Sequence, residues 1–375
     1  MSTRQATNSA GSAGMTIASV RILRLALGTA LSLWFSQAVG WQMSFIAPVF
    51  TLLVLALPLP VLKLKQGVAF VVVLAVALYS GMLLLPMLLE QPAVGLLLLT
   101  LALFWSFYFT AKGGSALIGT FATVGLALVA GVGSVNVDAL LIVAGDVIFA
   151  AAVGVIFVWI AHALIPDSMA VDIAPVAGGK KPEPLKPDLA DARWSAFRSL
   201  LIILPVALLL MLSSSSTAYI AVMIKVASMG QQATNDDTRH AGRSLLLSTI
   251  IGGAGAIIGW EMLSLVPTLA VYTLITALAG LIIGPRIFQG TAMHPQAATW
   301  SYGYMTMLIL LAPAVMDSVG GDAASVKFWD RIIMFAGATL YAVVAVYVVD
   351  AFRPRGQRPG RYGASSLTSS SLTSS

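Results

Sequence analysis

Residues 139–165 read ALLIVAGDVIFAAAVGVIFVWIAHALI, and this stretch decides the fold. About 20 consecutive apolar residues suffice for a helix to cross the hydrocarbon of a bilayer. This run is longer, and its ionisable residues are Asp146 and His162. Comparable runs, bounded by charges, prolines or glycines, lie upstream near 20–40, 43–62, 67–86, 92–110 and 114–134. Downstream they lie near 194–212, 216–232, 244–264, 266–284, 298–316 and 330–352. The whole chain is 58% hydrophobic and 10% charged, with a mean hydropathy of +0.92. Soluble domains carry about 25% charged residues to cover their surface, so an ordinary soluble fold is excluded. The expected fold is an all-α polytopic membrane protein of about 12 transmembrane helices.

The segments between runs set the organisation. Residues 1–17 are expected as a disordered cytoplasmic tail, 18–165 as a first six-helix membrane unit and 166–193 as a linker. Residues 194–352 form a second six-helix unit, and 353–375 a basic, then Ser-rich, disordered tail. The linker interleaves prolines 175, 182, 184 and 187 with charged residues, a composition that keeps a chain extended and solvated. The first apolar run opens on Arg21 and Arg24 without a small-residue cleavage site, so it is expected to be a span and not a cleaved signal.

Basic residues fix the expected orientation, because loops rich in Lys and Arg stay in the cytoplasm. Alternate connections hold Arg21, Arg24, Lys63, Lys65, Lys112, the linker lysines, Arg239, Arg243, Arg286 and the arginines of the C-terminal tail. The opposite set holds Lys327 and Arg331 among Glu90, Asp138, Glu261, Asp317, Asp322 and Asp330. Both termini and the linker are therefore expected in the cytoplasm of a bacterial inner-membrane, multi-pass protein. Six spans per half make the halves parallel repeats about an axis along the membrane normal. An offset of 174 residues pairs Arg24 with Arg198, and Phe45-Ile46-Ala47 with Tyr219-Ile220-Ala221.

Several chemistries are set aside by composition. There is no cysteine, hence no disulfide, thiolate nucleophile or zinc-thiolate site. His162, His240 and His294 are far apart at expected helix ends or loops, without ligand spacing, so neither a metal nor a cofactor is expected. The net charge of +6 flanks the spans as a topology signal, and no nucleic-acid partner is expected. No two catalytic-type residues show a recognisable spacing, so an enzyme is not expected.

Lys225 is the sharpest anomaly. A lysine in the middle of a span costs roughly 2.5 to 3.5 kcal/mol on insertion scales, and intramembrane ionisable residues mark functional sites. Its short span follows the hydroxyl cluster Ser213 to Thr217, and the matching first-half span is interrupted by Pro48 and closed by Pro58 and Pro60. Short or broken spans at corresponding places point to a central substrate site. The bland alternative is a lysine that snorkels to the interface. Asp146 is the candidate counter-ion or proton carrier, and at the mouth of its span it would simply meet water.

The stretch Gly230 to Gly242 and Arg243 is the densest polar loop. Arg239 and Arg243 share a helical face and are expected to bind lipid phosphate, to pair with Asp236 and Asp237 as a cytoplasmic gate, or to serve only as a positive-inside anchor. Glycines 252, 253, 255 and 259 are expected to let helices approach closely. Asp350 is expected at a helix end facing the basic tail. Trp41, Phe45, Trp105, Phe107, Tyr108, Phe109, Trp194, Trp260, Trp300, Tyr302 and Tyr304 are expected mostly as interfacial belts.

The opening Arg21 to Ala30, the turn into Phe45-Ile46-Ala47-Pro48-Val49, and Gly230 to Gly253 with Arg239 and Arg243 carry a resemblance. The chain resembles the fusaric acid resistance and aromatic acid exporter group of bacterial inner-membrane proteins, including short members of unassigned function. That resemblance implies an efflux permease for a small organic substrate, often an aromatic acid, working beside a periplasmic adaptor (membrane fusion) protein. The departure is the short linker, since larger members carry a cytoplasmic domain there. Two rivals stand beside it. A major-facilitator transporter shares the span count, but its signature between spans two and three is absent from Leu59 to Gly67. A membrane subunit that anchors an adaptor or envelope complex would need no substrate path. Membrane lipids are expected partners in every case, and a homo-oligomer is compatible with all three.

Overall fold

The computed structural model describes residues 15–41, 43–133, 136–170, 189–212, 225, 227–232, 234, 238–290, 292–319 and 324–352. These are almost entirely helical: α1 Ile17–Val39, α2 Ile46–Leu55, α3 Leu64–Met82, α4 Leu85–Glu90, α5 Pro92–Ala111, α6 Ala116–Leu128 and α7 Val137–Leu164. A π-turn, Val129–Gly133, extends α6. Then follow α8 Leu189–Leu212, α9 Thr238–Leu265, α10 Leu269–Ile287, α11 Ala297–Val319 and α12 Ala324–Ala351. A two-residue antiparallel pair, β1 Phe288–Gln289 with β2 Ala292–Met293, turns the chain between α10 and α11.

Helix ends follow local chemistry. The Thr16 hydroxyl accepts from the Ser19 N–H to start α1, and Gly40 at φ +73° closes it in a left-handed cap. Asn136 accepts from the Ala139 N–H to start α7.

Among the described residues, 9 helical segments are long and apolar enough to cross a membrane. Their exposed faces are apolar too: Val68, Val72 and Val76 repeat every fourth residue along α3 at half exposure or more. A helix that shows branched aliphatics to its surroundings is solvated by lipid. The chain is an all-α polytopic membrane protein.

Span by span, the expectation needs adjusting. The run 43–62 yields only the 10-residue α2, about 15 Å long and half of what the hydrocarbon requires. Pro58 and Pro60 follow in an extended stretch, because proline cannot continue the ladder. The run 67–86 breaks at Leu83-Leu84 between α3 and α4. Helix α8 starts at Leu189, inside the expected linker, and carries Asp191, Arg193 and Arg198. Most of the run 216–232, residues 1–14 and 353–375 of the tails, and linker residues 171–188 lie outside the described residues, whereas Thr16 and Ile17, expected in the N-terminal tail, cap and begin α1.

The halves pack into one another. Helix α1 lies on α10, α5 on α8, and the short α2 on α11. Glycine sets the α1–α10 distance: a Cβ on Gly280 would stand 2.7 Å from the Ala26 Cα, and one on Gly284 would stand 2.7 Å from the Ile22 side chain. Their spacing of four places both on one face, the small-residue seam of membrane helices.

Helix α9 uses the same device on α11. Cβ atoms at Gly252, Gly255 and Gly259 would meet Gly303 O at 2.5 Å, Met307 Sδ at 3.0 Å and Leu311 at 2.9 Å, whereas Gly253 has nothing within 4 Å. Three of the four expected packing glycines face α11, and Gly253 does not. Gly252→Ala should therefore destabilise the protein by about 1 to 3 kcal/mol through overpacking. Gly253→Ala should be neutral or slightly stabilising. Residual monodisperse protein after heating in detergent distinguishes the two.

Candidate functional site

Lys225 is 1% exposed and, like 227–232, is helical. Its ammonium donates to the Thr306 hydroxyl on α11 at 2.5 Å, and Thr306 donates onward to the Tyr302 carbonyl at 2.7 Å. An ammonium has three donors, and Thr306 receives the one such bond among the described residues. Lys225 is buried within the helix assembly.

The polar loop was expected from Gly230 to Arg243. Where described, residues 230–234 are helical, and their buried amides and hydroxyls bond helices of both halves. Gln231 Nε2 donates to Thr123 of α6 at 2.8 Å, and Thr123 bonds Ser106 of α5 at 2.9 Å. Gln232 Nε2 donates to Ser244 of α9 at 2.6 Å, and Ser244 bonds Thr299 of α11 at 2.7 Å. Thr234 bonds Ser199 of α8 at 2.7 Å. The amide oxygens of Gln231 and Gln232 are buried without a donor among the described residues. Buried amides demand partners; Gln231 finds one in the first half and Gln232 one in the second.

Beside this seam lies a cavity of about 60 Å³. Phe45, Phe50 and Phe121 of the first half line it, opposite Tyr302 and Met305 of α11 and Ser228. Ser228 is one helical turn from Lys225 and donates to its carbonyl at 2.6 Å. Met305 precedes Thr306 in the chain. Lys225 thus shares its helical stretch with one cavity-lining residue and bonds a helix that supplies others.

Asp146 is half-buried on α7, and no ion pair joins it to Lys225 among the described residues. Its neighbour Val147 is the α7 residue that lines the cavity. The structure thus keeps Lys225 at the seam and leaves Asp146 out of it. Of the expected gate, Asp236 and Asp237 lie outside the described residues, Arg239 belongs to α9, and Arg243 is exposed.

The paired arginines are buried. Arg24 is 4% exposed, its Nε donates to the Ile165 carbonyl at 2.6 Å, and it forms an ion pair with Asp167 at 2.7 Å. Arg198 pairs with Asp350 at 3.0 Å, and Trp194 Nε1 donates to the other carboxylate oxygen at 2.9 Å. Each pair clasps the first helix of a half to the end of its last helix. Asp350, near the end of α12, faces α8, where a buried guanidinium and an indole give its carboxylate partners; the basic tail it was expected to face lies outside the described residues.

Sequence reasoning missed Gln231, Gln232, Thr123 and Thr306 as a connected set. Their signal was faint: hydroxyls four apart in apolar runs, as at Ser106 and Thr110 or Ser244 and Ser248. Several expected belt aromatics are interior. Phe107 and Tyr304 are fully buried, and Phe45 and Tyr302 line the cavity.

Residues 21–161 match a family model described as a protein of unknown function (DUF2955). The match runs from the first turns of α1 to near the end of α7, and so covers the first-half wall of the cavity. No curated protein and no solved structure matches the chain.

Proposed function

We propose that this protein is a bacterial inner-membrane efflux permease for small amphipathic or anionic organic compounds. The observation that carries the reading is Lys225, a buried ammonium with one hydroxyl partner among the described residues, on the same helical stretch as a residue, Ser228, that lines an aromatic cavity. An intramembrane cation retained at an insertion cost of roughly 2.5 to 3.5 kcal/mol needs a reason, and attraction of a substrate's negative charge supplies one. An aromatic, mostly apolar cavity with a few polar groups suits the organic part of such a substrate.

In this reading the chain has twelve spans in two parallel repeats, with both termini cytoplasmic. The matching clasps, Arg24 to Asp167 and Arg198 to Asp350, support the repeat. The family match, ending near the close of the sixth expected span, is in keeping with a first unit of that size. The likeness to fusaric acid resistance exporters extends the proposal to aromatic acids and to a periplasmic adaptor.

The test is accumulation of aromatic acids and cationic dyes in cells with and without the protein, with its neighbouring adaptor co-expressed where there is one. Selective loss of anionic compounds from expressing cells is the expected result. Unchanged accumulation of every compound, with correct insertion, would reject transport and favour a subunit that anchors an envelope complex.

A further inference from the structure

The cavity beside the seam has an aromatic corner. Phe50 of α2 and Phe121 of α6 line it, and both pack edge to face against Phe70 of α3, at 5.9 and 5.0 Å between ring centroids. Phe50 and Phe121 close the triangle at 6.0 Å. Phe70 stands outside the cavity lining and is partly exposed. Its neighbours Val68 and Val72 on α3 are 52% and 51% exposed, the aliphatic face that lipid solvates. The triangle of rings therefore reaches from the cavity to the lipid-facing side of α3.

The helices around this corner are pinned elsewhere. A Cβ on Gly125 of α6 would stand 3.0 Å from the Ala77 carbonyl oxygen, and one on Gly81 of α3 would stand 3.3 Å from Val129. These contacts hold α3 to α6 beyond the rings, toward the C-terminal end of α3. At its other end α3 is tied to α7: a Cβ on Gly67 would stand 2.6 Å from the Trp159 ring, and Trp159 Nε1 donates to the Leu62 carbonyl at 2.9 Å. Between these two clamps, Phe70 and Phe121 meet through their rings. Side chains turn between rotamers without moving a helix and much faster than helices shift. The cavity measures about 60 Å³, whereas a cavity of about 150 Å³ takes up benzene. A guest with one ring or a short alkyl segment thus needs the wall to move, and a swing of Phe70 toward lipid opens the corner and adds room in one motion.

We propose that Phe50, Phe70 and Phe121 form a lateral door between α3 and α6, through which small apolar or amphipathic molecules dissolved in the bilayer enter the cavity. Such molecules partition from water into hydrocarbon, so a door on the lipid side meets them where they are most concentrated. Aromatic edges and faces suit the apolar part of the guest. As a route for exported substrate the door rests on the function proposed above, whereas passage from lipid into the cavity is measured without transport.

The test is photolabelling of the full chain in lipid vesicles with an apolar aryl diazirine, which dissolves in the bilayer and on irradiation inserts into the bonds it touches. Mass spectrometry maps the adducts. Met305 and Ile309 line the cavity and are buried; their labelling is read as a ratio to that of lipid-facing Val68 and Val72, so differences in insertion cancel. Phe70→Ala should raise the ratio severalfold, and Phe70→Trp should lower it. Val76→Ala, on the same helix at 62% exposure, should leave it unchanged. A ratio that neither Phe70 variant moves would overturn the proposal. So would cavity residues that stay unlabelled in the wild type and in Phe70→Ala alike. Equal cavity labelling by a sulfonated, water-soluble aryl diazirine would assign the entrance to the aqueous side and overturn the lipid route. Phe70-dependent labelling in a protein that exports nothing would uphold the door and reject the export reading alone.

Discussion

Lys225→Met should reduce export of anionic compounds at least tenfold, about 1.4 kcal/mol or more in the transport barrier, while the protein remains folded and inserted. The two parts of that expectation have different causes. The lysine is buried, and among the described residues its one bond is to a hydroxyl and not to a carboxylate. Replacing such a charge with an apolar side chain of similar volume is commonly neutral, or stabilising by about 1 to 4 kcal/mol. The variant should therefore melt at or above the wild-type temperature. Thr306→Val is the complement: it removes the hydroxyl, leaves the ammonium buried, and should lower stability. Export by Lys225→Met at the wild-type rate, at equal expression, would remove the charge site from the proposed mechanism. A variant that loses both stability and export would make Lys225 a structural group.

Asp350→Ala should destabilise the protein by about 3 kcal/mol, the scale for removing one partner of a buried ion pair. Arg198 and Asp350 are 4% and 8% exposed, so the truncation removes the carboxylate from a buried guanidinium and also removes the acceptor of Trp194. Asp167→Ala removes the corresponding carboxylate of the first half, but that group is 56% exposed, and Arg24 keeps its bond to the Ile165 carbonyl. Exposed pairs contribute about 0 to 1 kcal/mol, so this change should be small. Thermal midpoints of the two purified variants check the contrast, and equal losses would contradict the difference in burial.

What the sequence determined by itself is the class of the molecule and the approximate place of most helices. Apolar runs such as 139–165 must become helices in lipid, because no water is there to satisfy exposed backbone groups. The anomaly of Lys225 was legible for the same reason: a charge stands out where charges are costly. Gly252, Gly255 and Gly259 were legible as packing residues, although sequence could not tell that Gly253 points elsewhere. Tertiary structure decided the rest. Hydropathy is blind to partners, so it could not say that Gln231 reaches Thr123, that Lys225 meets Thr306 and not Asp146, or that Asp350 turns to Arg198 and Trp194. It also read 43–62 as one span, where two prolines leave a helix of only 10 residues resting on α11. Lipid solvates every apolar face alike, so which faces turn inward is set by close glycine contacts and buried hydrogen bonds between segments far apart in the chain.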